Sequence, residues 1–197
     1  MQAVLNDMEI DRRAVTMRHS TTPNHDCVEV TDFAAAMRVL ASGVVVITTY
    51  VDDRPWGLTL SSVSSFSADP ARISLSITKA NATASYIREN EKFGVAILPA
   101  DRADLAEALA ARGAPKFIDP TDLGDSGPIL GVPRIASALV NLECKVVFHV
   151  EAIDHILIVA DVVSASAEAD LHRDQPLVYY SRMFGSFVPS ESEGVTR

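Results

Sequence analysis

The sequence has few cysteines and no long apolar run. Two of its 197 residues are cysteines, Cys27 in a polar segment and Cys144 in an apolar one. That number suits neither a disulfide framework nor a zinc site, so we expect ordinary thiols and no bound metal. The longest apolar stretches, such as residues 44–47 and 156–160, fall far short of the roughly 20 residues that a membrane helix needs. Residues 1–15 carry charges but no continuous apolar segment, so we expect no secretory signal, no membrane association and a cytoplasmic protein.

Positive charge is also scarce. The chain has 17 Lys and Arg against 26 Asp and Glu, a formal net charge of −9. No basic run offsets this excess, so we expect no nucleic-acid partner. The sequence also lacks a G-x-G-x-x-G turn after a strand, a G-x-x-x-x-G-K-[ST] loop and a G-x-S-x-G nucleophile. These absences argue against a Rossmann nucleotide site, ATP chemistry and acyl transfer.

Length and composition predict a single buried core. A chain of this size, 48% hydrophobic, is long enough for one well-packed domain and short for two. We expect an N-terminal extension over residues 1–30, one domain over residues 31–187 and a C-terminal tail over residues 188–197.

Short strand patterns dominate the expected domain. The clearest period of two runs over residues 138–150, and residues 72–78 alternate Ile and Leu with Ser and Thr. Many strands with few helices predict a mainly β barrel or sandwich. Further strands are expected over residues 44–50, 56–59, 93–98, 156–166 and 177–180, and helices over residues 83–90 and 102–112. The first two of these strands are expected to form a hairpin with residues 52–55 in its turn.

Two other segments have distinct signals. A helix is expected to begin at Thr31 or Asp32 and to end at Gly43, with Phe33, Met37 and Leu40 on one face. Residues 113–133 contain four glycines and four prolines, too many for regular structure. We expect a long functional loop there, a lid or a dimer arm.

Hydroxyl groups are concentrated in residues 57–67, which hold five serines and a threonine. Such a segment can hydrogen-bond the heteroatom edge of a planar ring without adding charge. On its own it is more typical of a serine-rich surface loop.

A possible phosphate site follows a predicted strand and opens a predicted helix. Lys79, Ala80, Asn81 and Thr83 would place a cation, capping side chains and free backbone N–H groups together. The alternative is a plain helix cap beside a solvated lysine.

Four motifs in order resemble the short-chain flavin reductases, the reductase components of two-component flavin monooxygenases. They are "SGVVVITT" from residue 42, "GLTLSSVSSFSADP" from residue 57, Asp154-His155, and "PLVYYSRMFGSF" from residue 176. The resemblance covers roughly residues 31–187. It implies a homodimeric split β-barrel that uses NADH or NADPH to transfer a hydride to FMN or FAD, and that supplies reduced flavin to a separate oxygenase.

The resemblance also implies roles for individual residues. His155 with Asp154 would be the catalytic pair, His155 lying beside the nicotinamide rather than acting as a general base. Ile153 stands where the family usually has glycine, and Ala160 lies near another usual glycine. The implied flavin-binding residues are Gly57, Thr59, Leu60, Ser61, Ser62, Ser65, Lys79, Ala80, Asn81, Thr83 and Lys116. The implied nucleotide-binding residues are His155, Tyr180, Arg182 and Phe184, in a closing segment that also contains Tyr179.

Two alternatives remain open from the sequence. One is a flavin-retaining electron carrier or oxidase of the same barrel class. The other is a flavin-binding module without turnover. The choices between FMN and FAD, and between NADH and NADPH, are also open.

Overall fold

The computed structural model describes residues 27–167 and 175–188. The predicted extension before residue 27 and the tail after residue 188 therefore lie outside the described residues. In the described part, three α-helices are α1 (Val30–Met37), α2 (Ala82–Asn90) and α3 (Ala103–Ala110). The strands are β1 (Ser42–Gly43), β2 (Val45–Val51), β3 (Arg54–Leu60), β4 (Ser64–Ala68), β5 (Ala71–Thr78), β6 (Lys92–Ile97), β7 (Val140–Ala152), β8 (His155–Ala167), β9 (Leu177–Tyr180) and β10 (Met183–Ser186).

The strands form two antiparallel sheets. Seven of them pair in the order β3-β2-β6-β7-β8-β5-β4, and three pair in the order β1-β9-β10. The edge strands β3 and β4 are joined by residues 61–63. This arrangement confirms the prediction of a mainly β domain with few helices.

Two apolar clusters hold the fold together. The first gathers side chains from β2, β3, β5, β6, β7 and β8, with Ala84 and Ile87 of α2 packed among them. Strands near both edges share this cluster, so the large sheet curls around it. The second cluster lies between the opposite face of β2 and β6, helix α3 and Leu177 of β9. Burial of these two clusters positions α2 and α3 against the sheet.

Strand β5 confirms the alternation read from the sequence. Ile73, Leu75 and Ile77 are buried, whereas Ser74 and Ser76 are half-buried on the other face.

The predicted hairpin of β2 and β3 is also present, but its turn is shorter than expected. Asp52 and Asp53 both have positive φ, 50° and 58°, which is the geometry of a two-residue hairpin turn. Residues 54 and 55, expected in the turn, are therefore strand residues.

Helix α1 differs from its prediction at both ends. It begins at Val30 without a side-chain cap and ends at Met37, and Gly43 belongs to strand β1. Phe33, Met37 and Leu40, which were expected on one face, are all exposed. No residue of α1 is buried, so no core contact extends the helix toward the glycine.

Strand β7 begins at residue 140 and is less regular than its sequence pattern. Its pairing with β8 shifts register after Glu143 and after Val146, which breaks the simple alternation. Asn141 and Glu143 are buried although both are polar. Strands β4 and β10 were not predicted.

The Gly- and Pro-rich segment does not form a free lid or arm. Residues 127–135 are held against the sheet by polar side chains of β2, β6 and β7, and the Thr48 hydroxyl of β2 donates to the Pro133 carbonyl. The carboxylate of Glu143 accepts backbone hydrogen bonds from Ile129 and Leu130, and Lys92 Nζ donates to the Leu130 carbonyl at 2.7 Å. The Asn141 side chain bonds both backbone groups of Ile135, at 3.1 and 3.0 Å. These bonds explain why two polar residues of β7 are buried.

No helix in the described residues is long and apolar enough to cross a membrane.

Candidate active site

A surface cleft of about 410 Å³ lies between the end of β3, the end of α3 and the β9–β10 hairpin. It brings together part of the predicted flavin set and part of the predicted nucleotide set. The cleft is lined by Val44, Thr59, Leu60, Ser61, Glu107, Ala110, Ala111, Tyr179, Arg182 and Phe184. Its surface therefore combines hydroxyls, aromatic rings and one charge of each sign.

The β9–β10 hairpin determines which aromatic rings reach the cleft. Ser181 and Arg182 have positive φ values of 50° and 65° and form its turn. The rings of Tyr179 and Phe184 pack together, with 5.3 Å between their centroids. Tyr180 points to the other face of β9, is exposed and does not line the cleft. Neighbouring strand residues alternate between faces, so Tyr179 shares the face of Leu177, two residues earlier, and Tyr180 does not. The apolar Leu177 was therefore the sequence signal that could have identified Tyr179 as the tyrosine on the inner face.

Three residues predicted to bind flavin are already engaged within the fold. The Thr59 hydroxyl donates to the Ala106 carbonyl at 2.8 Å and so ties β3 to α3. Gly57 is buried, and a Cβ there would lie 2.8 Å from Leu109 Cδ1. Ser62 donates to the Ser76 carbonyl at 2.7 Å, linking the β3–β4 connection to β5. Gly57 is thus closely packed against Leu109, whereas Thr59 lines the cleft and Ser62 follows the cleft residue Ser61.

Ser65 and Lys116 lie away from the cleft lining. Ser65 is exposed in β4 and pairs with Ile73. Lys116 is buried, and its ammonium donates to the carbonyls of Leu109 and Ala111, both at 2.7 Å. These bonds cap the end of α3, and burial lowers the pKa of Lys116. Their predicted contacts with flavin stay predictions.

A second group of predicted residues meets where the β5–α2 turn touches the β7–β8 turn. The Lys79 N–H donates to the Asp154 carbonyl at 2.8 Å. His155 Nδ1 lies 2.8 Å from Asp154 Oδ1, and His155 Nε2 lies 3.4 Å from the Thr78 hydroxyl. The hydrogen bond with His155 lowers the pKa of Asp154. The carboxylate is therefore ionised at neutral pH and orients a half-exposed imidazole.

The start of α2 is capped as the sequence predicted. Asn81 Oδ1 accepts from the Thr83 N–H at 3.0 Å. The N–H of Ala82 has no acceptor among the described residues, and Ala80 is exposed. Thr83 is fully buried, and its hydroxyl accepts from Trp56 Nε1 at 3.0 Å. Asn81 is thus half-buried and Ala82 exposed, whereas the Thr83 hydroxyl is buried and bonded within the fold.

The turn beside His155 is strained. Ile153 has φ of 49°, a value that β-branched residues avoid, and its side chain is 96% exposed. The family resemblance places glycine at this position, and a positive φ explains that preference. The turn nevertheless keeps the shape that pairs Asp154 with His155.

No cluster of three or more potential metal ligands occurs in the described residues. A mainly β fold with a cleft lined by hydroxyls and aromatic rings is typical of proteins that bind a planar organic molecule. The particular family follows from comparison with known proteins. Residues 37–187 match the family model of the flavin reductase like domain. The chain belongs to this family, which confirms the resemblance found in its motifs.

Characterised relatives and solved structures agree with this assignment. The chain is 36% identical over 159 residues to the reductase component of 4-nitrophenol 4-monooxygenase/4-nitrocatechol 2-monooxygenase from Rhodococcus opacus, covering 80% of this chain and 81% of the relative. It is 31% identical over 157 residues to the FMN reductase (NADH) SmoA of Agrobacterium fabrum, covering 79% and 84%. The crystal structure of BorF, the flavin reductase component of a bacterial two-component tryptophan halogenase, matches with a TM-score of 0.72 at 28% identity, covering 82% of this chain and 100% of BorF.

Proposed function

We propose that the protein is a flavin reductase that uses NADH or NADPH to transfer a hydride to FMN or FAD and supplies reduced flavin to a separate oxygenase. The observation that carries the proposal is the family match over residues 37–187, supported by relatives named as NADH-dependent reductases and monooxygenase reductase components. When bound, the flavin supplies the ring that accepts the hydride from the reduced nicotinamide. The protein's contribution is binding and orientation.

The residues present fit a flavin and a nucleotide. The cleft volume of about 410 Å³ is within the range of roughly 300–1,000 Å³ usual for small-molecule sites. Tyr179 and Phe184 offer aromatic surface for stacking, and Arg182 offers a guanidinium for a pyrophosphate. Among the described residues, Glu107 and Arg182 are the only charged groups in the lining. A lining with so little charge favours a flavin that exchanges with solvent over one that is retained.

The phosphate of the flavin is assigned to the start of α2. Asn81 and the Ala82 N–H lie at the positive end of the helix dipole, and Lys79 lies two residues before the cap. His155 is assigned to the nicotinamide. Its pairing with ionised Asp154 fixes the ring orientation, so the role assigned to His155 is to position the nucleotide.

We further propose that the large sheet closes into a split barrel and that two copies associate. Apolar side chains of α1 and the β9–β10 hairpin are exposed together, including Phe33, Met37 and Met183. The two elements are linked, because the Ser181 N–H donates to the Arg38 carbonyl at 3.0 Å. A second copy would cover this apolar surface. Light scattering of the purified protein is expected to give twice the chain mass, and a monomer mass in the presence of flavin would contradict the dimer.

A pair of substitutions at Asn81 tests the phosphate assignment without removing the helix cap. Asn81→Asp and Asn81→Ser both keep an oxygen that accepts from the Thr83 N–H. Only the aspartate adds a negative charge next to the phosphate. Asn81→Asp should raise the Kd for FMN severalfold, whereas Asn81→Ser should change it little. Equal affinities in the two variants would contradict the assignment.

His155→Ala tests the nicotinamide side of the site. It should leave the flavin Kd nearly unchanged and should raise the nucleotide KM or slow flavin reduction in stopped flow. A variant with a lowered melting temperature but normal nucleotide kinetics would assign His155 to the structure of the turn instead. The kinetics of the wild-type protein and of His155→Ala are measured for each pairing of FMN or FAD with NADH or NADPH.

A further inference from the structure

One carboxylate bridges two cations beside the predicted phosphate site. Glu151, near the end of β7, lies with Oε2 3.2 Å from Lys79 Nζ and with Oε1 3.2 Å from Arg88 Nη1. Lys79 precedes the N-terminus of α2, and Arg88 lies in its last turn. Lys79 was expected to contact a ligand, but its ammonium is paired within the protein.

Glu151 is a permanent negative charge at neutral pH. The hydrogen bond from Lys79 lowers the pKa of Glu151, and the charges of Arg88 and His149 act in the same direction. Its side chain is half-exposed, so solvent weakens the ion pairs but does not abolish them. Without a ligand, the carboxylate of Glu151 is therefore ion-paired with the ammonium of Lys79.

A phosphate held at Asn81 and Ala82 would compete with this carboxylate for Lys79. If Lys79 turned to the phosphate, Glu151 would lose one partner, and its charge would repel the ligand. If Lys79 stayed with Glu151, the phosphate would lose its nearest cation. In both cases Glu151 weakens the binding of a flavin that carries a dianionic phosphate monoester more than the binding of a flavin without phosphate.

We propose that Glu151 is a specificity-determining residue that weakens binding of the flavin phosphate and so promotes release of FMN. The inference rests on the proposed function, since it deepens the role of the same site. A reductase that passes reduced flavin to another protein must bind the flavin weakly enough to release it. A carboxylate that competes with the phosphate for Lys79 lowers the affinity for FMN in this way. Glu151 acts through Lys79 and does not touch the reacting atoms.

The test compares FMN with riboflavin, which lacks the phosphate. Trp56 is the single tryptophan and is hydrogen-bonded to Thr83 at the start of α2, so its fluorescence reports binding there. Glu151→Gln should lower the Kd for FMN by about two- to fivefold, the range expected for a surface ion pair. It should leave the Kd for riboflavin unchanged and should slow FMN dissociation in stopped flow.

Two controls isolate the mechanism. Glu89→Gln makes the same change of net charge on α2, where Glu89 has no ion pair with a described residue, and should not alter either affinity. In a Lys79→Gln background, Glu151→Gln should have a smaller effect on FMN, because the competition is gone. Melting temperatures of all variants verify that each is folded.

The outcomes separate this inference from the function on which it rests. Selective tightening of FMN in Glu151→Gln supports it. If the wild-type protein reduces FMN with NADH but Glu151→Gln changes neither affinity, or changes both equally, the inference alone is overturned. If the wild-type protein neither binds nor reduces any flavin, the proposed function fails and the inference fails with it.

Discussion

The indole N–H of Trp56 donates a hydrogen bond of 3.0 Å to the hydroxyl of Thr83. The bond joins strand β3 to the first turn of α2, and Phe117 packs edge-on against the same indole with 5.0 Å between ring centroids. Thr83 is fully buried, so its hydroxyl faces Trp56 rather than the surface. Its contribution to a ligand site is to hold the start of α2 in place.

Thr83→Val should lower the free energy of unfolding by about 1–2 kcal/mol, because the indole N–H of Trp56 loses its acceptor at nearly constant side-chain shape. Thr83→Ser keeps the hydroxyl and should cost less. Urea unfolding followed by circular dichroism measures both. A Thr83→Val protein of normal stability that has lost FMN affinity would show that the hydroxyl contacts the ligand.

Glu143→Ala should lower the free energy of unfolding by about 2–4 kcal/mol, because the backbone N–H groups of Ile129 and Leu130 lose their buried acceptor. Glu143→Gln keeps one acceptor oxygen and should be less damaging. In Glu143→Ala, amide hydrogen exchange should rise over residues 127–133 before it rises in the sheet. Unchanged exchange there would contradict the role of Glu143 in fixing this segment.

Ile153→Gly should stabilise the protein by about 0.5–1 kcal/mol, because the strain of a β-branched residue at φ of 49° exceeds the extra flexibility that glycine gives the unfolded chain. The side chain is almost fully exposed, so no core contact is lost. Ile153→Ala keeps a Cβ and is the matched control, with little expected gain. A glycine variant less stable than wild type would show that the isoleucine is favoured by a contact of its own.

Alkylation should distinguish the two cysteines. Burial, with the neighbouring Glu143 charge, raises the pKa of Cys144 to about 12, whereas Cys27 is exposed. At pH 8, mass spectrometry should find one adduct in the native protein, two in denaturant and none in native Cys27→Ser. Because the folded-state pKa of Cys144 is raised, its contribution to stability should be lost as pH rises from about 9 toward 12, and Cys144→Ala should lack this loss. Two adducts in the native protein would contradict the burial.

Local patterns predicted a substantial part of the fold and site. The alternation of Ile73 to Ile77 identified β5, and Asn81, one of the expected capping side chains, caps α2. The Asp154-His155 pair was expected at a strand turn and is found there. Each of these features depends on residues close together in sequence, which is why single-sequence patterns indicate them.

Other features depend on contacts between distant segments. Glu143 reads as a solvent-facing strand residue, but residues 127–135 cover that face and bury its carboxylate. Lys116 reads as a cation free for a ligand, but it caps α3. The sequence suggests that the Thr83 hydroxyl is accessible, but it accepts a hydrogen bond from the indole N–H of Trp56. In each case a polar side chain satisfies backbone or side-chain groups that only the folded chain brings near.

The most direct test of the account is nicotinamide oxidation by the purified protein, followed by absorbance with and without added flavin. We expect oxidation of NADH or NADPH when FMN or FAD is added, and almost none in flavin-free buffer after gel filtration. Absence of oxidation with every pairing of flavin and nucleotide would contradict the reductase function. Full-rate oxidation without added flavin, with flavin retained through gel filtration, would contradict the release of reduced flavin to a partner.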